Sequence, residues 1–408
     1  MGMGVVEEME SDSAPVRLIR CGRLIDGTGE GGEPGSQVVR VDGDRITAIG
    51  PVADFSEAAG EWLDWSQHTV LPGYIDAHDH LHIMLGDVEA QGHLPEHELI
   101  LTAVRNCRVM LQGGITTMRE MCARGGVDRA IRQAVEDGRI VGPRIVTAGR
   151  GIMRTGGHFW YNGLEADGPE AWRAAVRSQV KAQVDWIKIF ITGGVADRGS
   201  DPQRCDVTRE EIQAGIDEAH RLGRRVSAHV YGGIGADWAL DAGLDVVEHG
   251  TFLTAEQLRR MADQGTWLVA TVGIMELGAV APGVPEEFAR KFALVMEHYP
   301  RTLRLARECG VRVAVGTDLR HGRLDVEMGH LVNAGYSELE AIRAATLGGA
   351  ELLGLADQVG SLVVGKFADM VAIEGDPLVD IRHTGNVRRV MKAGMEYTID
   401  TPAHNSSP

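Results

Sequence analysis

Lysine is scarce in this sequence. Of its 41 basic residues only five are lysines, namely Lys181, Lys188, Lys291, Lys366 and Lys392, and the rest are arginines. Basic charge as a whole is in deficit, because 58 acidic residues leave a net charge of −17. That balance argues against nucleic acid, whose phosphates call for clustered Lys and Arg, and against docking on an anionic membrane. Cysteine is sparse too. Cys21, Cys107, Cys122, Cys205 and Cys309 are odd in number, scattered and never in a CxxC pair. A disulfide framework and a thiolate zinc site are therefore not expected. No apolar run approaches the ~18 residues of a membrane helix. The stretch from Met1 to Ala14 is acidic and has no apolar centre, unlike a secretory signal. A cytoplasmic protein is the expectation. What remains is an ordinary globular composition, 44% hydrophobic and 24% charged over 408 residues. That length suits one large domain with a smaller companion.

The rhythm of the chain changes twice. Val16–Ile19, Val38–Val41 and Arg45–Ile49 are β-rich, and Gly43-Asp44 between the last two is a turn signal. From Tyr74 onward, short apolar runs alternate with longer helical patterns. The runs are Tyr74–Ala77, Ile115–Met118, Arg144–Ala148, Asp185–Ile191, Arg225–Val230, Val246–Glu248, Trp267–Val272 and Val311–Val315. Thr208-Arg-Glu-Glu211, Thr254-Ala-Glu-Gln257 and Ser337-Glu-Leu-Glu340 read as capping boxes that open helices. Eight buried strands alternating with helices predict an α/β fold of the (β/α)8 TIM-barrel type. After Leu355 the pattern is β-like again at Gly360–Val364, Asp369–Ile373 and Val387–Met391. Both chain ends are expected to share one small β domain. The predicted division is a flexible tail over 1–15, a composite β domain over 16–73 plus 356–400, and the barrel over 74–355.

Chemistry concentrates at the ends of the predicted strands. In Leu71-Pro-Gly-Tyr-Ile-Asp-Ala-His78-Asp-His80-Leu-His82, His78 and His80 are two apart and so share one face of a strand, with Asp79 on the other. Two imidazoles on one face suit a metal such as zinc. His82 continues the spacing, but three consecutive ligands on one strand are too tight, so a structural role is expected for it. Lys188 lies inside the apolar run of strand four. Burial depresses the pKa of a lysine and leaves a free amine, which arginine cannot provide. His229 and His249 end strands five and six, and Asp318 ends strand eight. Singly, each has a plain reading as a satisfied core histidine, a snorkelling lysine or a capping aspartate. Together they converge on the mouth of a barrel, where active sites lie.

With these residues in place the sequence resembles the amidohydrolase superfamily, in particular its binuclear branch with a carboxylated lysine. The likeness runs from Gly22-Arg-Leu-Ile-Asp-Gly27 to Val390-Met-Lys-Ala-Gly394. Gly114-Ile-Thr-Thr-Met-Arg119, Gly142-Pro-Arg144, Thr155-Gly-Gly-His158, Thr192-Gly-Gly194 and Glu248-His249-Gly-Thr251 make it most similar to a prolidase-like group. That group includes Xaa-Pro dipeptidases, Xaa-Arg/Lys carboxypeptidases and ochratoxin-type amidases. The resemblance implies a distorted (β/α)8 barrel with a small β-sandwich formed by both termini. It implies two divalent metal ions, with zinc expected. His78, His80 and Asp318 would hold the more buried ion, His229 and His249 the more exposed one. Lys188, carboxylated by CO₂, would bridge them. A bridging hydroxide would attack an amide carbonyl, with Asp318 as general base and then acid.

For the substrate pocket the resemblance points to His158 and Tyr231, which in the group hold a substrate carboxylate or carbonyl. Arg320 and His321, next to Asp318, are further candidates, Arg320 for a bidentate carboxylate pair. Phe159-Trp160-Tyr161 predicts either an apolar pocket wall or a subunit interface. The expected substrate is a small molecule with a peptide-like or N-acyl amide; a xenobiotic amide, carbamate or urea is the first alternative. A mononuclear deaminase or imidazolonepropionase-like enzyme is the second. Lys188, and the absence of a Glu shortly after His229, count against the latter. A non-catalytic relative would have lost ligands, and all six are present. The family also implies a homo-oligomer.

Overall fold

The computed structural model describes residues 15–29, 34–397 and 399. The predicted N-terminal tail lies outside these residues except for Pro15.

The two chain ends meet in one sheet. Strand Val16–Leu24 pairs antiparallel with Pro34–Asp42 and parallel with Glu61–Pro72. The Gly43-Asp44 turn leads from Pro34–Asp42 into Arg45–Pro51. From the other end of the chain, Met370–Ile373 docks antiparallel on Glu61–Pro72 and is followed by Val387–Lys392 and Met395–Tyr397. The seven strands bury a core that includes Ile19, Val39, Val41, Trp65, Met370 and Met391. The strand expected at Gly360–Val364 does not form. Positive φ values at Gly360 (85°) and Gly365 (94°) break the extended backbone at both ends, and the segment turns instead.

All eight barrel strands are present: Tyr74–Asp79, Ile115–Glu120, Arg144–Thr147, Trp186–Phe190, Arg225–Gly232, Val246–Phe252, Trp267–Ala270 and Val313–Val315. They run parallel in chain order. The barrel is distorted between strands three and four. There the link is the Asp185 N–H to the Thr147 carbonyl at 2.9 Å, and an extra strand, Ile152–Met153, pairs with strand four. Strand eight closes on strand one through the Asp318 N–H and the His78 carbonyl, 2.9 Å. Gly316 makes that approach feasible, since a Cβ there would lie 2.5 Å from the His78 Cβ. All three capping boxes form as read, on helices Arg209–Arg221, Ala255–Gln264 and Glu338–Ala344. Several predicted runs overshoot their strands: strand four is Trp186–Phe190 and strand eight begins only at Val313. Strand seven ends at Ala270, and Val272 already opens a short helix, Val272–Gly278.

Barrel and terminal sheet are tied together by polar contacts. Arg144 donates to Asp369 at 2.6 Å, and the Lys392 ammonium donates to the Gly142 carbonyl at 2.7 Å. Among the described residues, no helix is long and apolar enough to cross a membrane.

Candidate active site

Strand ends bring the six predicted ligand residues to one cavity, which all of them line. On strand one the alternation works as read. His78 and His80 face the cavity, while Asp79 turns away to accept from the Thr317 hydroxyl and the Leu319 N–H at 2.9 and 2.8 Å. His78 Nε2 and His80 Nε2 lie 3.5 and 3.6 Å from Asp318 Oδ1. Ligand atoms of these three residues fall within 4.8 Å of one another, a cluster able to hold a metal ion. The His249 ring is 5.0 Å from that of His78 and 4.7 Å from that of His229, so the second pair of histidines adjoins the first group.

Lys188 is 1% exposed, and its Nζ has no hydrogen-bond partner. Burial pushes its pKa down to about 8, against the pull of Glu248 and Asp318. An unpaired buried amine is costly unless something joins it. Gly151 makes room for the side chain: a Cβ there would lie 2.4 Å from the Phe190 ring and 3.1 Å from Lys188 Cγ.

The electrostatics suit metal ligation. Burial lowers His80 to about 3 and pushes His229 and His249 well down, so these rings are neutral and offer lone pairs. Burial alone would raise the Asp318 carboxyl, but His78 and His80 hold it well below the usual carboxylate range. The donor set of four imidazoles, one carboxylate and one unpaired amine fits divalent metal ions. His249, Asp318 and Leu319 have φ of 69°, 44° and 82°, so left-handed backbone gathers at the ligand-bearing strand ends.

Two residues that sequence reasoning did not assign to the site orient it. Glu248 accepts from His78 Nδ1 at 2.7 Å, from Arg119 Nη2 at 2.6 Å and from the Ser227 hydroxyl. The bond to His78 fixes that ring's tautomer and leaves Nε2 free toward Asp318. Burial opposes the charge on Glu248, yet Arg119 and His78 overcome it and hold the pKa at about 2. Glu248 follows two valines in a buried strand, so the rule that singled out Lys188 applies to it; Arg119, between Thr116-Thr117-Met118 and Glu120, gives no such signal.

The pocket candidates divide. His158 and Tyr231 line the cavity. His158 Nδ1 donates to Asp197, and its ring lies 4.3 Å from that of His229; the Tyr231 ring stacks on His249 at 5.3 Å. Arg320 and His321 are not brought to the cavity. Arg320 donates to the Gly273 carbonyl and to Glu276, each at 3.1 Å, so its guanidinium is already engaged. His321 is buried between Asp79 and the Ile83 carbonyl, 2.7 and 2.9 Å from its two ring nitrogens, and serves the framework behind strand one. His82 likewise turns inward, 3.3 Å from the Asn162 side chain. The aromatic triplet splits: Phe159 lines the cavity, Tyr161 is buried, and Trp160 is exposed.

Residues 69–396 match the amidohydrolase family. Ochratoxinase from Aspergillus niger is 31% identical over 91% of this chain and 84% of its own length. Among solved structures, a Xaa-Pro dipeptidase with methionine bound in its active site has a TM-score of 0.85 and 33% identity, covering 94% of this chain and 100% of that one. A prolidase complexed with N-methylphosphonate-L-proline has a TM-score of 0.84 and 28% identity, covering 94% and 99%. The chain belongs to the amidohydrolase family, among its prolidase- and ochratoxinase-type members.

Proposed function

We propose that this protein is a binuclear metal-dependent hydrolase that cleaves an amide bond of peptide-like or N-acyl type in a small molecule. Family membership and the ochratoxinase and dipeptidase relatives support amide hydrolysis. The observation that carries the two-metal reading is Lys188, a buried amine without a hydrogen-bond partner in a cavity of histidines. His78, His80 and Asp318 would hold one ion, His229 and His249 the other, and Lys188, as a carbamate, would join them. Zinc is the first metal to test. Such ions supply Lewis-acid polarisation of the substrate carbonyl and acidify water.

The protein's own groups do the rest. Glu248 keeps His78 in one tautomer, so the ligand face is set before substrate arrives. The Asp318 carboxylate, ionised throughout the neutral range, takes a proton from the attacking water and returns it to the leaving amine. Tyr231 and His158 orient the scissile group from beside His249 and His229.

The test is a hydrolysis panel with metal-loaded protein. It covers N-acyl amino acids, Xaa-Pro and Xaa-Arg dipeptides, ochratoxin-like amides, phenylureas and thiocarbamates. Turnover of an amide is expected. Asp318→Asn is expected to lower kcat by about a thousandfold or more while retaining appreciable metal. Near-normal turnover in that variant contradicts the assignment.

A further inference from the structure

Resting on that reading, we propose that Asp197 is a positioning residue for the amide hydrolysis: its carboxylate accepts from His158 Nδ1 and thereby turns His158 Nε2 toward the substrate. Packing sets where the His158 ring lies. The ring stands 4.3 Å from that of His229 and 5.5 Å from that of Phe190, and a Cβ at Gly194 would lie 2.2 Å from it. Contacts of this kind do not distinguish one edge of an imidazole from the other. The bond to Asp197 does, because it engages one ring nitrogen and leaves the second for the cavity that His158 lines. The same carboxylate oxygen, Oδ2, accepts from the Phe159 N–H at 3.2 Å. Phe159 has a left-handed φ of 66°, which a residue other than glycine keeps only when its surroundings hold it. Asp197 thus anchors two neighbouring residues that both line the cavity.

Asp197 is 4% exposed, so its carboxylate requires partners inside the protein. Two cations beside it serve other groups. Arg198 turns to Asp87 at 2.6 Å and Glu89 at 2.9 Å. Lys291 donates to Glu287 at 2.7 Å and to the Asp197 carbonyl, not its carboxylate, at 2.6 Å. The Gly199 N–H also donates to Glu287, at 2.8 Å. These bonds strap the loop after strand four to helix Glu286–Glu308 on one side and to helix Val88–Gly92 with its Asp87 cap on the other. Val195 and Ala196 of the same loop line the cavity. The loop is therefore held from outside while the Asp197 carboxylate is left for His158 and Phe159. Glu248 fixes His78 in the same manner.

The test reads the ring itself and then turnover. Wild type, Asp197→Asn and Asp197→Ala are metal-loaded and carry isotopically labelled histidine, and the His158 signals are assigned by their loss in His158→Gln. NMR is expected to find a proton on His158 Nδ1 in the wild type and in Asp197→Asn, whose side-chain oxygen still accepts, and none there in Asp197→Ala. A wild-type Nδ1 without a proton, or an Nδ1 unchanged in Asp197→Ala, overturns the proposal. On an amide turned over by the wild type, Asp197→Ala should lower kcat/KM about thirtyfold or more at unchanged metal content, and Asp197→Asn should stay within about fivefold of wild type. In the His158→Gln background Asp197→Ala should cost less than about threefold, because a residue that acts through His158 has nothing left to position there. Equal losses in the two Asp197 variants, metal lost with Asp197→Ala, or its full loss repeated in His158→Gln overturn the proposal as well. Should Asp197→Ala not fold, the wild-type proton and the kinetics of Asp197→Asn still decide. Turnover of no amide in the panel counts against the hydrolytic reading, while the Nδ1 proton still decides the part played by Asp197.

Discussion

Glu248 takes hydrogen bonds from His78, Arg119 and Ser227 with no exposed surface. Breaking a buried ion pair leaves the surviving charge stranded. Glu248→Gln is therefore expected to lose about 3 kcal/mol of stability in urea unfolding and to weaken metal binding about tenfold or more. A variant as stable as wild type contradicts this account of the network. His321 offers a pH test. Burial lowers its pKa, but the Asp79 carboxylate outweighs burial and the net shift is upward. A raised histidine contributes stability that is complete below its unfolded pKa of about 6.5 and fades as pH rises through the folded value. The difference in Tm between wild type and His321→Gln should shrink from about pH 6 to about pH 9; a difference that widens contradicts it. At this scale the six ligand-type residues were legible, because strand ends of a barrel point to one place. Arg320 was not, because its partner Glu276 sits 44 residues earlier, on a helix the pattern did not reveal.

That helix, Val272–Gly278, is too short to be stable alone and is clamped from outside. Glu327 accepts from the N–H groups of Val272 and Gly273 at 2.8 and 2.5 Å, and the Tyr299 hydroxyl accepts from the Thr271 N–H at 3.0 Å. Ile274 and Met275 reach the cavity from it. Glu327→Ala should raise KM for an amide substrate about tenfold, with kcat much less affected. A fall in kcat with KM unchanged contradicts a positioning role. Barrel strands were legible at this scale because parallel strands buried on both faces are short continuous apolar runs. The capping boxes were legible because their chemistry is local. Val272–Gly278 was not. It buries Val272, Gly273, Ile274, Met275 and Gly278, and Glu276 alone is polar and exposed, too little to give a helical period.

Over the whole molecule, residues far apart in sequence build one frame. Glu61–Pro72 lies between a strand from each chain end and leads directly into the strand that carries His78 and ends next to His80. Asp369, beside the last sheet strands, pairs with Arg144 at the base of barrel strand three. The composite nature of the terminal domain was legible from β-like patterns at both ends, whereas its register was not, since pairing partners lie some 300 residues apart. The frame converges on Lys188, and the choice between two metals and one depends on that residue. The most direct measurement is the metal content of the purified, metal-loaded protein by elemental analysis, beside Lys188→Ala. The account predicts about two ions per chain in the wild type and about one or fewer in the variant. One ion per chain in both proteins would contradict it.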